Sequence, residues 1–247
     1  MKKYYTIIIS DLNIYKKPSK KSEVVSEMIY GDSFSISKKT SRWIKIKTKE
    51  DNYSGYIQNR NYIKYLRPTH KINVLKAKVY KFPNKLGKIN LLSFNSKIRV
   101  TENKNKFLKF AIGWIRKNQV KPINFKEKNL FKNINIFKRV KYKWGGKSYK
   151  GIDCSALVQV FLNFNNRFCP RDTADQVRYF KKDIILDKIK KNDIIYWKGH
   201  VAVALNNKKL IHAYGPMKKT VIMDINQTIK RITKTANLKV IGIKRLK

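Results

Sequence analysis

The chain has 247 residues, of which 42% are hydrophobic, so it is long and apolar enough to bury more than one core. Lys and Arg number 58 against 15 Asp and Glu, which gives a net charge of +43. Such a balance is typical of proteins that bind nucleic acid, anionic membranes or acidic substrates. Lys, Asn and Ile are nevertheless spread evenly and form no basic arm, so charge alone selects none of these classes.

Two further classes are excluded by simple counts. The only cysteines are Cys154 and Cys169, too few for a disulfide scaffold, although a bridge between these two stays open. The apolar run at residues 6–10, TIIIS, is too short for a signal peptide or a membrane span. We therefore expect a cytoplasmic protein with reduced thiols and no membrane association.

Residues 1–122 contain short apolar runs separated by turn-like polar residues, which predicts an all-β region. The predicted strands of a first cycle are LNIYKK, EVVSEMIY, SFSISKK, WIKIKT and SGYIQ. Those of a second cycle are NVLKAKVYKFP, LGKINLLSF, SKIRVTE, KFLKFA and IGWIRKNQV. Both cycles end alike, in SGYIQNRNYI and IGWIRKNQVK. This similarity predicts an internal repeat of about 55 residues and two small barrels.

The first cycle resembles bacterial SH3-like domains. Those domains begin with an LN(V/I) strand, continue through W-x-K-(V/I), and close with G-(Y/W)-(V/I). The matching segments here are Leu12-Asn13-Ile14, Trp43-Ile44-Lys45-Ile46 and Gly55-Tyr56-Ile57. The resemblance implies SH3-like domains at residues 1–66 and 67–123.

Residues 124–247 change in character and predict an α+β domain. A linker leads into a short helix, and an apolar stripe at Leu157, Val160, Phe161 and Phe164 predicts a helix over 154–165. Thr173 and Gln176 have the spacing of a capping box, so a second helix is expected to start there. Four predicted strands then follow, DIIYWK, HVAVAL, KLIHAY and KTVIMDI. Helices followed by an antiparallel sheet indicate an α+β fold.

Cys154 has the sequence context of a nucleophile. It begins a predicted helix, where free backbone N–H groups and the helix dipole are expected to lower the thiol pKa. His200 and His212 lie in a predicted hairpin centred on Asn206, which would place them directly opposite each other, about 5 Å apart. A turn centred half a residue later would place them on opposite faces.

Each of these residues alone is more often structural, but together they offer a nucleophile, a base and a group that orients the base. A zinc site built from one Cys and two His is the other chemical reading. It ranks lower because no two candidate ligands have the usual short spacing. We expect no metal and no cofactor.

Three segments resemble the NlpC family of papain-like cell-wall peptidases. YKWGGKSYKGIDCSALV is similar to the nucleophile motif Y-x-W-G-G … G-x-D-C-S-G-L-V, CPRDTADQ to P-R-x-(S/T)-x-x-Q, and GHVAVALNNKKLIHAYG to H-V-G-(I/V) … H-A. The three motifs occur in the family's order over about residues 140–215. The resemblance implies a papain-like α+β catalytic domain. Ala156 and Ala202 stand where the family commonly has Gly.

The resemblance implies four catalytic roles. Cys154 would attack the amide carbonyl, His200 would act as base and then acid, and His212 would orient His200. The backbone N–H of Cys154 and the Tyr142 hydroxyl would stabilise the oxyanion. A tyrosine beside Trp144 could instead be a packing aromatic.

Two SH3-like domains ahead of this catalytic domain resemble the γ-D-glutamyl-L-diamino-acid dipeptidyl peptidases, which act on murein peptides with a free N-terminal L-alanine. The resemblance implies substrate contacts from Asp153, Ser155, Asp172 and Thr173.

In the same subgroup the first SH3-like domain contributes to binding of the substrate's ammonium. The loop DNYSGY points to Tyr53 and the segment IYGD to Asp32, although an ordinary turn explains both segments as well.

The favoured function is therefore a cytoplasmic peptidase that trims murein peptides during recycling. A wall-lytic endopeptidase, whose SH3-like domains bind peptidoglycan, is the alternative within enzymes. A non-catalytic nucleic-acid-binding protein is the alternative of another class, and it predicts base-stacking aromatics among the basic residues. The aromatics here mostly follow strand alternation, so no obligatory nucleic acid partner is expected.

Overall fold

The computed structural model describes residues 3–84 and 86–246. The chain divides into two compact units. One contains the chain up to Lys126 together with Lys147–Tyr149, and the other contains Glu127–Gly146 and the chain from Lys150 onward. Each unit has its own sheets and its own core.

The first part of the first unit is a seven-stranded antiparallel sheet. Its strands are β1 (Tyr4–Ile7), β2 (Asp11–Tyr15), β3 (Val24–Ile29), β4 (Ser33–Lys39), β5 (Trp43–Thr48), β6 (Ser54–Gln58) and β7 (Tyr62–Lys64). Their order in the sheet is β3-β2-β6-β5-β4-β1-β7. The sequence of β5 shows why it forms a strand, because buried and exposed side chains alternate from Ile44 to Thr48.

The second part of the first unit repeats this strand order. Its strands are β8 (His70–Ile72), β9 (Lys76–Tyr80), β10 (Lys88–Ser93), β11 (Lys97–Ile98), β12 (Glu102–Lys104), β13 (Phe107–Phe110), β14 (Gly113–Arg116) and β15 (Val120–Pro122). They form the sheets β10-β9-β14-β13-β12 and β11-β8-β15. The first of these matches β3-β2-β6-β5-β4 strand for strand, which confirms the predicted internal repeat.

The second unit is α+β. Its elements are a 3₁₀ turn (Ile134–Phe137), β17 (Gly151–Ile152), α1 (Cys154–Phe164), α2 (Thr173–Tyr179), β18 (Ile194–Trp197), β19 (His200–Ala204), β20 (Lys209–Tyr214), β21 (Lys219–Asp224), α3 (Ile225–Ala236) and β22 (Val240–Lys244). A further short strand, β16 (Lys147–Ser148), belongs to the first unit. The main sheet has the order β21-β20-β19-β18-β22, with antiparallel neighbours. The predicted fold class, an all-β N-terminal region followed by an α+β region, is confirmed.

Helix α1 is the central element of the second unit. Ten of its eleven residues are buried, so the predicted apolar stripe is only part of a helix that is enclosed on nearly all sides. It packs against β19 and β20. This burial fixes the position of its first residue, Cys154, against the sheet.

Helix α3 and strand β22 were not predicted from the sequence. Helix α3 is mostly polar and buries only Ile225, Thr228 and Ile232, but its isoleucines at 225, 229 and 232 recur at the spacing of one helix face, an amphipathic pattern that was overlooked. A signal was present at its start, because Asp224 accepts a hydrogen bond from the Gln227 N–H at 3.0 Å. Among the described residues, no helix is long and apolar enough to cross a membrane.

Candidate active site

Cys154 lies at the N-terminus of α1, next to the start of β19. Its side chain is buried, with only 4% of the residue exposed, and its Sγ lies 4.0 Å from the Gly199 carbonyl oxygen. The backbone N–H of Val201 also contacts the sulfur. Because Gly199 and Val201 flank His200 in the chain, the thiol is held against the backbone on both sides of that histidine.

The thiol of Cys154 is less acidic than the sequence predicts. Burial raises its pKa to about 12, and the negative charge of Asp153 acts in the same direction. Hydrogen bonds from the Val201 and Ser155 backbone and the charge of Arg171 lower the pKa, but they do not outweigh burial. The prediction that the helix N-terminus produces a net lowering of the pKa is therefore wrong.

The β19–β20 hairpin brings His200 and His212 together by a different register from the predicted one. Val203 pairs with Ile211 and Ala204 with Leu210, so the turn is centred on Asn207 and not on Asn206. A shift of one full residue keeps both histidines on the same face but makes them diagonal neighbours. The direct pairing was wrong, whereas contact between the imidazoles is confirmed by 2.8 Å between His200 Nε2 and His212 Nδ1.

The contacts of the two imidazoles determine a consistent set of tautomers. His212 Nε2 lies 3.4 Å from the Met223 sulfur, which can only accept a hydrogen bond, so this nitrogen carries the proton. His212 Nδ1 then accepts from His200 Nε2–H. This arrangement leaves the lone pair of His200 Nδ1 available to take a proton, as a general base requires.

Both imidazoles are neutral at pH 7. Burial lowers the pKa of His200 to about 4. Burial, with a smaller effect of His200, lowers the pKa of His212 to about 3. The resting site therefore contains a neutral thiol and two neutral imidazoles, and charge develops only when the thiol proton is transferred.

Tyr142 is a half-buried neighbour of this site. Its ring is 3.6 Å from the point where a side chain at Gly215 would begin, and its backbone N–H donates to the Lys218 carbonyl. Burial raises the pKa of Tyr142 above its ordinary value. The hydroxyl therefore keeps its proton at neutral pH and can donate a hydrogen bond, and its role toward an oxyanion stays a prediction.

Asp153 and Ser155 form a buried polar network with Arg171. The Arg171 guanidinium donates to both carboxylate oxygens of Asp153, at 3.0 and 2.5 Å, and to Ser155 Oγ at 2.8 Å. The same carboxylate accepts from the backbone N–H groups of Gly145 and Ala156. Asp153 thus caps α1 and fixes the preceding turn, so this carboxylate positions the nucleophile, and direct contact with substrate stays a prediction.

The two glycines before the nucleophile adopt the tight turn that the sequence indicates. Gly145 has a φ of +71°, in the region that favours glycine. A Cβ on Gly146 would lie 2.5 Å from the Gly151 carbonyl oxygen. The backbone conformation at Gly145 therefore favours glycine, and the close contact at Gly146 requires it.

The remaining predicted residues of the second unit lie at the start of α2. Asp172 is the N-cap, with an exposed side chain, and Thr173 is the first residue of the helix. The expected capping box does not form, because the Gln176 side-chain amide donates to the Ser155 and Pro170 carbonyls. Substrate contacts from Asp172 and Thr173 stay predictions.

Arg171 and Gln176, both in the segment CPRDTADQ, were not predicted from the sequence to organise the site. Arg171 is 3% exposed and Gln176 is fully buried. A buried arginine needs a carboxylate partner, so the conjunction of P-R with the Asp before the cysteine was the available signal.

Asp32 and Tyr53 both belong to the first unit. Asp32 is buried, and its carboxylate oxygens lie 3.4 Å from Lys97 Nζ and 3.0 Å from Lys147 Nζ. Although burial alone would raise it, the two ammonium groups hold the pKa of Asp32 below its usual value. The Tyr53 backbone N–H donates to Thr48 Oγ1. A substrate ammonium would have to compete with two lysines for Asp32, and both substrate-binding roles stay predictions.

The structure also bears on the possible disulfide between the two cysteines and on the possible zinc site. Cys154 and Cys169 are both buried and are not joined by a disulfide, so the bridge that the sequence left open does not form. In the part of the chain that the structure describes, no three His, Cys, Asp or Glu side chains are grouped so as to hold a metal ion.

Two curated relatives align with most of this chain. The dipeptidyl-peptidase 6 of Lysinibacillus sphaericus is 26% identical over 236 residues, which cover 84% of this chain and 86% of that protein. The gamma-D-glutamyl-L-lysine dipeptidyl-peptidase of Bacillus subtilis is 21% identical over 230 residues, covering 83% and 77%.

Among solved structures, an NlpC/P60 family protein from Bacillus cereus superposes with a TM-score of 0.83 at 17% identity, covering 98% of this chain and 99% of that one. The similarity establishes a shared fold. The profile of the NlpC/P60 family matches residues 139–236, and that of the bacterial SH3 domain matches residues 10–64. Residues 139–236 therefore form a domain of the NlpC/P60 family, preceded in the chain by a bacterial SH3 domain.

Proposed function

We propose that the protein is a cysteine peptidase that hydrolyses the γ-D-glutamyl–diamino acid bond of murein peptides with a free N-terminal L-alanine. The observation that carries the proposal is the placement of the Cys154 thiol against the backbone on both sides of His200, whose imidazole contacts His212 at 2.8 Å. A thiol beside a histidine that a second group orients is the arrangement used for thioester chemistry.

The reaction follows from the protonation states of the site. His200 Nδ1 takes the Cys154 proton as the sulfur attacks the γ-carbonyl carbon, and the carbonyl oxygen becomes an oxyanion. The Cys154 backbone N–H and the Tyr142 hydroxyl donate to that oxygen. The C–N bond then breaks, His200 returns the proton to the leaving amine, and a thioester remains on Cys154. Water, deprotonated by His200, hydrolyses the thioester and restores the thiol.

The dipeptidyl part of the proposal is supported by the two relatives that align over more than four fifths of this chain, because both carry dipeptidyl-peptidase names. Action at the second residue requires recognition of a free terminal ammonium, which needs anionic or polar partners. Asp153, Ser155, Asp172 and Thr173, with Asp32 and Tyr53, are the proposed binding residues. A role in recycling of wall peptides in the cytoplasm is part of the same proposal.

The test is digestion of L-Ala-γ-D-Glu-meso-diaminopimelate beside its N-acetylated twin, followed by mass spectrometry. We expect cleavage of the free-amine peptide alone, which releases L-Ala-γ-D-Glu and the diamino acid. The Cys154→Ala variant, which removes the proposed nucleophile, is expected to release neither product.

Cleavage of both peptides would keep the cysteine peptidase but would favour the wall-lytic endopeptidase. Cleavage of neither would refute the dipeptidyl proposal. Activity that persists in Cys154→Ala would refute the assignment of the nucleophile.

A further inference from the structure

A cavity of about 510 Å³ lies beside His200 in the second unit. Tyr142 and His200 form part of its wall, so the cavity continues the candidate active site on one side. The rest of the wall comes from the turn before β19, the segment after β20, the C-terminal half of α3, and Leu238. Its volume is within the range of sites that bind small molecules.

The charges on this wall all have one sign. Lys198, from the turn before β19, and Arg231, from α3, both line the cavity, and none of the described residues in its wall is an Asp or a Glu. Among the described residues neither cation forms an ion pair. Pro216, Ile232 and Leu238 supply apolar surface in the same wall.

Basic residues are frequent throughout this chain, so their presence on a surface is not informative by itself. Here, however, two cations from separate elements converge on one cavity that also contains the proposed general base. A cavity with an apolar wall and two positive groups fits an aliphatic ligand that carries more than one carboxylate.

We infer that this cavity binds the leaving diamino acid, and that Lys198 and Arg231 select a diamino acid with a second carboxylate, meso-diaminopimelate, over L-lysine. The inference rests on the proposed function, because it assigns the leaving-group side of the same site. Both leaving groups carry an α-carboxylate, and only meso-diaminopimelate carries another at the far end of its side chain.

The discrimination has a simple electrostatic origin. The side chain of lysine ends in an ammonium with a pKa of about 10.4, so it is positive at pH 7 and would be repelled by Lys198 and Arg231. The far end of meso-diaminopimelate has an ammonium and a carboxylate, and the carboxylate can accept hydrogen bonds from either cation. A hydrogen bond to a charged group contributes enough to change the specificity by about tenfold.

The experiment compares kcat/KM for three tripeptides that begin with L-Ala-γ-D-Glu. Their third residues are meso-diaminopimelate, the same residue with its side-chain carboxylate amidated, and L-lysine. The amide has nearly the same shape as the carboxylate and lacks its charge. For the unmodified protein we expect kcat/KM for the meso-diaminopimelate peptide to exceed that for the amidated peptide by about tenfold. It should exceed kcat/KM for the lysine peptide by at least the same factor.

The matched variants remove one or both cations. We measure the preference as the ratio of kcat/KM for the meso-diaminopimelate peptide to kcat/KM for its amide. Each single variant, Lys198→Met or Arg231→Met, should lower this ratio. The double variant should bring the ratio close to one. The control is Lys208→Met, an exposed lysine in the turn at the other end of β19. It should keep the full preference.

The outcomes separate this inference from the proposed function. Cleavage of all three peptides with equal kcat/KM by the unmodified protein would overturn the inference and leave the peptidase proposal intact. A preference that survives in the double variant would do the same. Cleavage of none of the peptides would overturn both.

Discussion

Cys154 is held as a neutral thiol by the same burial that fixes its position. With a pKa raised to about 12, little thiolate is present at pH 7. We expect the rate of alkylation of Cys154 by iodoacetamide to rise about tenfold per pH unit through pH 7–9, because only the thiolate reacts. The measurement is a time course of mass-spectrometric labelling, with Cys154→Ala, which retains Cys169, as the background.

A rate that is already constant below pH 7 would contradict this prediction. It would mean that the free protein holds a thiolate–imidazolium pair, so that the charge of His200 offsets the cost of burial. The two results distinguish a site that is activated by substrate from one that is active before substrate binds.

At the scale of single residues, the sequence was sufficient to select the candidate catalytic residues. It was insufficient to predict how burial changes the pKa values of their side chains. The predicted hairpin placed His200 and His212 on one face of the sheet, and the contact between their imidazoles is confirmed. The sign of the thiol's pKa shift could not be predicted, because it depends on how completely β19 covers the sulfur. Arg171 was missed because its partner, Asp153, is 18 positions away in the chain.

The N-terminus of α1 depends on a buried ion pair for its stability. The side chains of Arg171 and Asp153 are 2% and 7% exposed. Arg171→Met would leave the Asp153 carboxylate buried without its cation, which typically costs about 3–5 kcal/mol. We expect a clear loss of stability in urea unfolding. Arg178→Met, at an exposed arginine of α2, should change the free energy of unfolding by less than about 0.5 kcal/mol.

The double variant Arg171→Met with Asp153→Asn tests the cause. An asparagine can still cap α1 and carries no charge, so we expect it to recover part of the lost stability. Equal losses in Arg171→Met and Arg178→Met would show that the ion pair contributes little.

At the scale of elements, the strands of the first unit were the most predictable part of the fold. Both repeats alternate apolar and polar residues and end in related sequences, and their sheets share one strand order. Helix α3 could have been predicted, because Ile225, Ile229 and Ile232 recur at the spacing of one helix face, but the mostly polar composition of the segment obscured this pattern. Its capping signal, with Asp224 three positions before Gln227, is short and easily overlooked.

The net charge of +43 is a property of the whole molecule rather than of one site. We expect weak binding to any duplex DNA at low salt, with an affinity that falls steeply as salt increases, because counterion release drives it. Fluorescence anisotropy with a labelled duplex of random sequence measures this effect. Cys154→Ser should bind as the unmodified protein does.

Affinity that depends on DNA sequence, or that persists at high salt, would contradict this expectation. It would also revive the nucleic-acid-binding function as a serious alternative to the peptidase.

The segment Lys147–Tyr149 belongs to the first unit, whereas the chain on either side of it belongs to the second. The Lys147 backbone N–H donates to Glu27 at 2.9 Å, and its ammonium pairs with Asp32. No single cut in the chain can therefore release one unit whole, since the backbone passes between the two units three times. Recombination that exchanged the N-terminal half would have to supply acidic residues matched to a lysine inherited from the other half. We therefore expect the two units to be inherited together and not to be exchanged separately by recombination.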